Sequence, residues 1–286
     1  MKIQTMSIVC GTTACNAKCP FCVSSLTPSA NLPTDINYRN LKIACRLAER
    51  AQATTCLITG KGEPTLYPEL IKYYLYCVKD YFPFIELQTN GIALVNDIGV
   101  QKLTEWYEYG LTTICLSAVH YKQERNKEIY GDKYPELDPL IEKLHDVGLT
   151  VRLSVMLLKN YIDSPDKVAA LISFCKTNRV EQLTIRPIDS PNESNLPNDK
   201  ARQVAEWIWE RSLRKELDEI RFDIEEKATP VLHLAHGATV YDYDGQNICL
   251  TDCLTTNDTD DNIRQIIYFP DGTILYDWCY RGARLL

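Results

Sequence analysis

Short β-branched runs alternate along the chain with stretches in which apolar residues recur every three or four positions. The first run is Ser7-Ile8-Val9. A helical stripe follows over residues 38–52, with Leu41, Ala44, Cys45 and Ala48 on one face. Thr55-Cys56-Leu57-Ile58-Thr59 predicts a second strand. Residues 68–80 predict a second helix that groups Leu70, Tyr74, Cys77 and Val78. A third strand is expected over 84–88, and the helix over 100–109 stops at Gly110, a residue suited to a left-handed C-cap. Strand 113–117, helix 135–147 and strand 150–157 continue the rhythm. Ser164 followed by Pro165 marks a helix start, with Val168, Leu171, Ile172 and Cys175 as its buried face. Strand 182–188 and a helix over 199–215 complete six βα repeats.

This alternation predicts an α/β fold with a parallel sheet and helices packed outside it. Six repeats are too few for a closed eight-stranded barrel, so the expectation is an open, partial (β/α)6 TIM-like barrel over residues 1–217. After about Arg221 the pattern changes to strands and turns. Asp244-Gly245 and Asp271-Gly272 each lie between alternating runs, a hairpin signal. A small C-terminal β extension over 218–286, placed to cap the barrel, is therefore expected.

Composition narrows the function classes. The 286 residues are 45% hydrophobic and 24% charged, ordinary for a globular chain. A net charge of −7 disfavours a broad nucleic-acid footprint, RNA included. No apolar run reaches membrane-spanning length, and residues 1–5 lack the core of a secretory signal. A cytoplasmic, reducing setting follows as the expectation, with no membrane partner. Twelve cysteines in that setting point to metal or redox chemistry rather than disulfides.

The densest group is Cys15-Asn-Ala-Lys-Cys19-Pro-Phe-Cys22. Three thiolates on one loop suit an iron–sulfur cluster, and the loop supplies no fourth ligand. A four-iron cluster there would keep one iron open for a small molecule. The alternatives are a zinc site, which needs a further ligand pair that does not follow, and three unrelated buried thiols. Gly60-Lys61-Gly62-Glu63-Pro64 follows strand two; its glycines permit close backbone approach, and its carbonyls and the Glu63 carboxylate can accept from an ammonium group. Taken alone the segment reads as an ordinary turn. Gln88-Thr89-Asn90-Gly91 ends strand three, Ser117 ends strand four, and Arg152 and Ser154 share one face of strand five. Arg186 is a charge inside an apolar strand and calls for an anionic partner: substrate, cofactor carboxylate or a structural ion pair. His120, Tyr121, Glu124, Arg125 and Asn126 follow strand four, and no catalytic acid or base can be assigned among them. These positions lie at the C-terminal ends of strands, where parallel α/β folds place their chemistry.

The cysteine run, with Phe21 before its last member, resembles the cluster motif of the radical S-adenosylmethionine (SAM) superfamily, and the later segments appear in that family's order. The resemblance implies that Cys15, Cys19 and Cys22 ligate a [4Fe-4S] cluster whose open iron is chelated by SAM. Reductive cleavage of SAM would then give methionine and a 5′-deoxyadenosyl radical. It further implies SAM contacts at Gly60, Gly62, Glu63, Thr89, Asn90, Ser117 and Ser154. Lys61 departs from the commoner glycine. The implied activity is hydrogen abstraction from a small molecule such as a nucleotide, sugar or amino acid derivative, with a flavodoxin or ferredoxin as reductant. Modification of a peptide or protein, including glycyl-radical activation, is the second reading; an iron–sulfur electron carrier or sensor is the third.

Cys249, Cys253 and Cys279 are similar to C-terminal cysteines that hold an auxiliary iron–sulfur cluster in the branch containing GTP 3′,8-cyclase and SPASM/twitch-type enzymes. Their spacing differs from that pattern, and the alternative is plain thiols in a capping extension. Cys45, Cys77 and Cys175 fall on apolar helix faces and read as core.

Overall fold

The computed structural model describes residues 2–27, 32, 35–189, 196, 198–234, 237–251, 262–280 and 282–286. Six strands form the parallel core: β1 (Lys2–Val9), β2 (Thr55–Thr59), β3 (Phe84–Thr89), β4 (Thr113–Ala118), β5 (Thr150–Leu157) and β6 (Gln182–Pro187). They pair in sequential order, as a chain of βα units requires.

The C-terminal strands enter the same sheet from both sides. β9 (Gln246–Leu250) runs parallel to β6, and β10 (Asn262–Tyr268) runs parallel to β1. Eight parallel strands therefore lie side by side. Three antiparallel strands finish the edges: β7 (Thr229–His233) and β8 (Thr239–Tyr243) beyond β9, and β11 (Ile274–Leu275) beyond β10. The α/β partial-barrel class is as expected, and the extension is built into its sheet.

Helices cover one face of this sheet. α1 (Tyr38–Arg50) buries Leu41, Ala44, Cys45 and Ala48, and its Asn37 cap accepts from the Asn40 amide at 3.1 Å. α2 (Pro68–Val78) buries Ile71, Tyr74, Leu75 and Val78, whereas Leu70 and Cys77 are only half-buried. α4 (Val100–Glu108), as labelled after the five-residue α3 (Ile92–Asn96), precedes β4. α5 (Gln123–Tyr130) and α6 (Leu137–Val147) lie between β4 and β5, and α7 (Pro165–Thr177) follows, capped by Ser164.

The helix expected over 199–215 is α8 (Asp199–Arg211), and a second helix, α9 (Lys215–Lys227), follows where the extension was expected to begin. Strand structure accordingly begins at Thr229 rather than near 221. The physical reason is the sparse apolar stripe of α9, which buries only Ile220 and Ile224 among many charges.

The sheet's two faces differ in chemistry. Ile58, Ile85, Leu87, Ile114, Leu116, Val151, Leu153, Val155, Leu183 and Ile185 are fully buried in the core shared with the helices. Period-two alternation sends Glu86, Gln88, Cys115, Ser117, Arg152, Ser154, Thr184 and Arg186 to the opposite, concave face. The register aligns Ser117 with Ser154, Ser154 with Thr184, and Thr184 with Cys249.

Candidate functional site

The cysteine loop leaves the C-terminal end of β1 and is fastened at four places. Tyr67 Oη and Thr12 Oγ1 are 2.6 Å apart. The Glu63 amide donates to the Ala14 carbonyl at 2.9 Å. Lys61 Nζ, in a buried side chain, donates to Thr27 Oγ1 at 2.7 Å. Asn90 Nδ2 donates to Asn16 Oδ1 at 2.8 Å and approaches Cys15 Sγ at 3.9 Å. Phe21 adds an apolar anchor, lying edge-on to Tyr130 and tilted against Trp207, with ring centroids 6.3 and 5.8 Å away.

Gly62 has a specific steric reason. A Cβ there would meet the Ala14 carbonyl oxygen at 2.0 Å and that of Thr12 at 2.7 Å. At Gly60 a Cβ would lie 3.0 to 3.3 Å from Gly62 O, Cys10 O and Pro64 Cδ. The glycines thus let two loops lie backbone against backbone beside Cys15. Gly11, at φ +74°, lies where a Cβ would strike the Tyr67 ring at 2.2 Å.

Glu63 is the knot of the site. Its Oε1 accepts from the Thr65 amide at 3.0 Å and from the Thr65 and Thr89 hydroxyls at 2.6 Å each. Its Oε2 accepts from the Asn90 amide at 3.0 Å. The carboxylate, 3% exposed, therefore ties the end of β2 to the end of β3. Thr89 Oγ1 in turn accepts from the Gly91 amide, and Asn90 Oδ1 accepts from Ile92 at the start of α3, both at 3.0 Å. Glu63, Thr89 and Asn90, each singled out in the sequence, meet here through hydrogen bonds. Sequence reasoning missed Thr12, Asn16, Thr65 and Tyr67, whose only signal is proximity across the fold.

The three thiols share one electrostatic environment. Burial pushes the Cys19 thiol up to about 12, and the neighbouring Cys22 and Cys15 add to this. Cys15 is raised by burial too, with Glu63 and Cys22 contributing. Thiolates formed this close together would repel one another, and metal binding relieves that repulsion with release of protons. Among the described residues, no three His, Cys, Asp or Glu side chains converge on a single metal ion. Three thiolates on one loop fit a multi-iron cluster, in which each takes a different iron.

The remaining positions line the concave face. Ser117 is half-buried, and its carbonyl accepts from Tyr134 Oη at 2.9 Å. Ser154 is buried beside it in register. Arg152 pairs with Glu86 across β4, Nη2 to Oε1 at 2.5 Å, and Gln88 Nε2 donates to the same oxygen at 3.0 Å. Arg186 lies one strand further on. His120 is buried and its Nδ1 accepts from the Lys122 amide at 3.0 Å, leaving Nε2 to carry the proton. Burial, then the charges of Arg125, Lys122 and Lys167, lowers its pKa to about 4.

The two described C-terminal cysteines lie on different parts of the sheet. Cys249 sits on β9, past β6, whereas Cys279 follows β11 at the other edge of the sheet, near Lys61. Cys253 lies outside the described residues.

Comparison with known proteins follows the same lines. The sequence pattern of the Radical SAM superfamily matches residues 9–172. GTP 3′,8-cyclase of Stenotrophomonas maltophilia is 26% identical over 157 residues, covering 53% of this chain and 46% of that protein. An uncharacterised protein of Methanocaldococcus jannaschii is 31% identical over 124 residues, 43% of this chain and 37% of that protein. The matched regions thus span less than half the length of these curated relatives. Streptococcus suis SuiB, solved bound to S-adenosylmethionine, superposes with a TM-score of 0.63 at 16% identity, over 100% of this chain and 62% of SuiB. anSMEcpe with bound AdoMet superposes at 0.60 and 14% identity, over 99% of this chain and 77% of that one. These likenesses concern the fold. No helix among the described residues is long and apolar enough to cross a membrane.

Proposed function

Because the chain belongs to the Radical SAM superfamily, we propose that it is an enzyme that cleaves SAM at a cluster held by Cys15, Cys19 and Cys22. The cleavage would initiate hydrogen abstraction from a small molecule. The observation that carries this reading is the cysteine loop, clamped by Gly62, Glu63 and Asn90 so that three thiols share one partly exposed surface. When bound, the [4Fe-4S] cluster supplies the electron that breaks the sulfonium bond of SAM and yields the 5′-deoxyadenosyl radical.

The chain's own residues bind and orient. The thiols give up protons to become ligands. Gly60 and Gly62 keep side chains out of the surface beside Cys15, where the SAM amino group is expected. Glu63, saturated by four donors, holds Thr89 and Asn90 at that edge. Ser117 and Ser154 offer hydroxyls further along the concave face. The polar lining of that face favours a small polar substrate. A one-electron donor of the flavodoxin or ferredoxin class would meet the exposed side of the loop.

The test is anaerobic reconstitution with iron and sulfide, then reduction in the presence of SAM. The expected result is 5′-deoxyadenosine, abolished by Cys19→Ala. About four irons per chain indicates one cluster, and about eight indicates a second at the C-terminal cysteines. A protein that takes up iron fully yet releases no 5′-deoxyadenosine refutes the proposal.

A further inference from the structure

Arg186 is the second-last residue of β6, at the end of the sheet where the cysteine loop leaves β1. Its Nε is buried with no hydrogen-bond partner among the described residues. The residue as a whole is only half-buried, and strand alternation places it on the concave face. The neighbouring Arg152 shares the orphaned Nε but differs in having a carboxylate partner, Glu86, whose same oxygen Gln88 also takes up. Glu86 is thus committed, and Arg186 has no carboxylate of its own among the described residues.

A guanidinium does not shed its proton at any working pH, so the charge persists. Leaving a half-buried fork unpaired costs stability, and its geometry matches a carboxylate or phosphate bidentately. We propose that Arg186 is the anchor for an anionic group, a carboxylate or a phosphate, on the substrate; this rests on the function proposed above.

The alternative anion is the carboxylate of SAM. Its methionine end would lie beside Cys15, Cys19 and Cys22, on the loop that leaves β1, whereas Arg186 is on β6, beyond the expected SAM contacts on β4 and β5. Its charge acts there: burial raises the Cys249 thiol, and Arg152 and Arg186 pull it back. The charged neighbours acting on the Cys15 and Cys19 thiols are instead Glu63 and their fellow cysteines. Thr184 and Ser154, adjacent in register, provide hydroxyls between the two regions.

The test uses the reconstituted holoprotein with SAM bound, titrated with inorganic phosphate and, separately, with malonate. At least one anion should bind saturably and raise the unfolding midpoint. Arg186→Gln should weaken that binding tenfold or more, with Arg186→Lys intermediate because it keeps the charge but loses the fork. SAM affinity should not change. Preference for phosphate or for malonate identifies the class of group. Arg186→Gln removes an unpaired charge and should unfold no earlier than wild type; should it fail to fold, Arg186→Lys carries the comparison. The inference is overturned if neither anion binds, if Arg186→Gln binds within twofold of wild type, or if it loses SAM affinity tenfold. Measuring 5′-deoxyadenosine on the same sample separates the two failures. Anion binding without SAM cleavage sinks the proposed function and leaves the anchor standing.

Discussion

Replacing Glu63 with glutamine changes one atom and tests the whole knot. In the native site Oε1 accepts three hydrogen bonds and Oε2 one, from the Asn90 amide. Glutamine can keep its carbonyl oxygen toward Thr65 and Thr89. Its Nε2 then faces the Asn90 N–H, donor against donor. A buried donor left without an acceptor costs about 1–3 kcal/mol. The three surviving bonds lose their charge assistance, roughly 1 kcal/mol each, because bonds to charged groups are about twice as strong as neutral ones. The expected local destabilisation is therefore about 4–6 kcal/mol. Native-state hydrogen exchange reads it directly: the Asn90 and Thr65 amides should exchange on the order of a thousandfold to ten-thousandfold faster, since 1.4 kcal/mol is a factor of ten. A cycle with Thr89→Val isolates the hydroxyl's share. If both amides exchange within threefold of wild type while SAM affinity collapses, Glu63 serves the ligand rather than the loops, and the structural account of it is wrong.

Gly62→Ala forces a Cβ against the Ala14 carbonyl at 2.0 Å, so the two loops must part; reconstituted iron should fall well below wild type, and wild-type iron content would refute the clamp. Phe21→Ala removes a ring packed on Tyr130 and Trp207. Its expected cost is about 2 kcal/mol, below the 3–5 kcal/mol of a fully buried phenylalanine, read as an earlier urea midpoint. His120 has a pKa lowered from 6.5 to about 4, so the unfolded chain binds the extra proton between those values. Its contribution to stability is complete above pH 6.5 and is lost as the pH falls toward 4, with a ceiling of about 3 kcal/mol. His120→Asn, which retains an acceptor for the Lys122 amide, should flatten the urea midpoint across that window; an unchanged slope would sink the assignment.

The parts legible in the sequence are those set by local periodicity. The strands from Thr55 to Pro187 announce themselves because their helix-facing residues are uniformly aliphatic, and the cysteine spacing is a local signal. What stayed hidden depends on partners distant in the chain. Glu86 and Arg152 are 66 residues apart and meet across β4, so neither reads as half of an ion pair. The need for glycine at position 62 comes from a carbonyl 48 positions earlier. α3 is only five residues long, and its start relies on the Asn90 side chain, in a segment that looks like a plain turn. The break between α8 and α9 at Ser212 to Arg214 falls in a charge-rich stretch where the apolar stripe is too thin to show continuity. The destinations of β9 and β10 are choices among sheet edges, which alternation within a strand does not encode.

The pairing of β1 with β10 sets the order in which this molecule can be completed. Residues 5–9 find one neighbour in β2 early, but the partner of residues 2–8 on the other side spans residues 262–268. During synthesis the strand carrying the cysteine loop therefore waits with a bare row of amides and carbonyls until residue 268 has emerged. Such contacts fold slowly, and exposed edges recruit other chains. Expression at low temperature or with a chaperone should accordingly favour intact barrels over aggregates, and fragments lacking residues 262–268 should be prone to stick to one another.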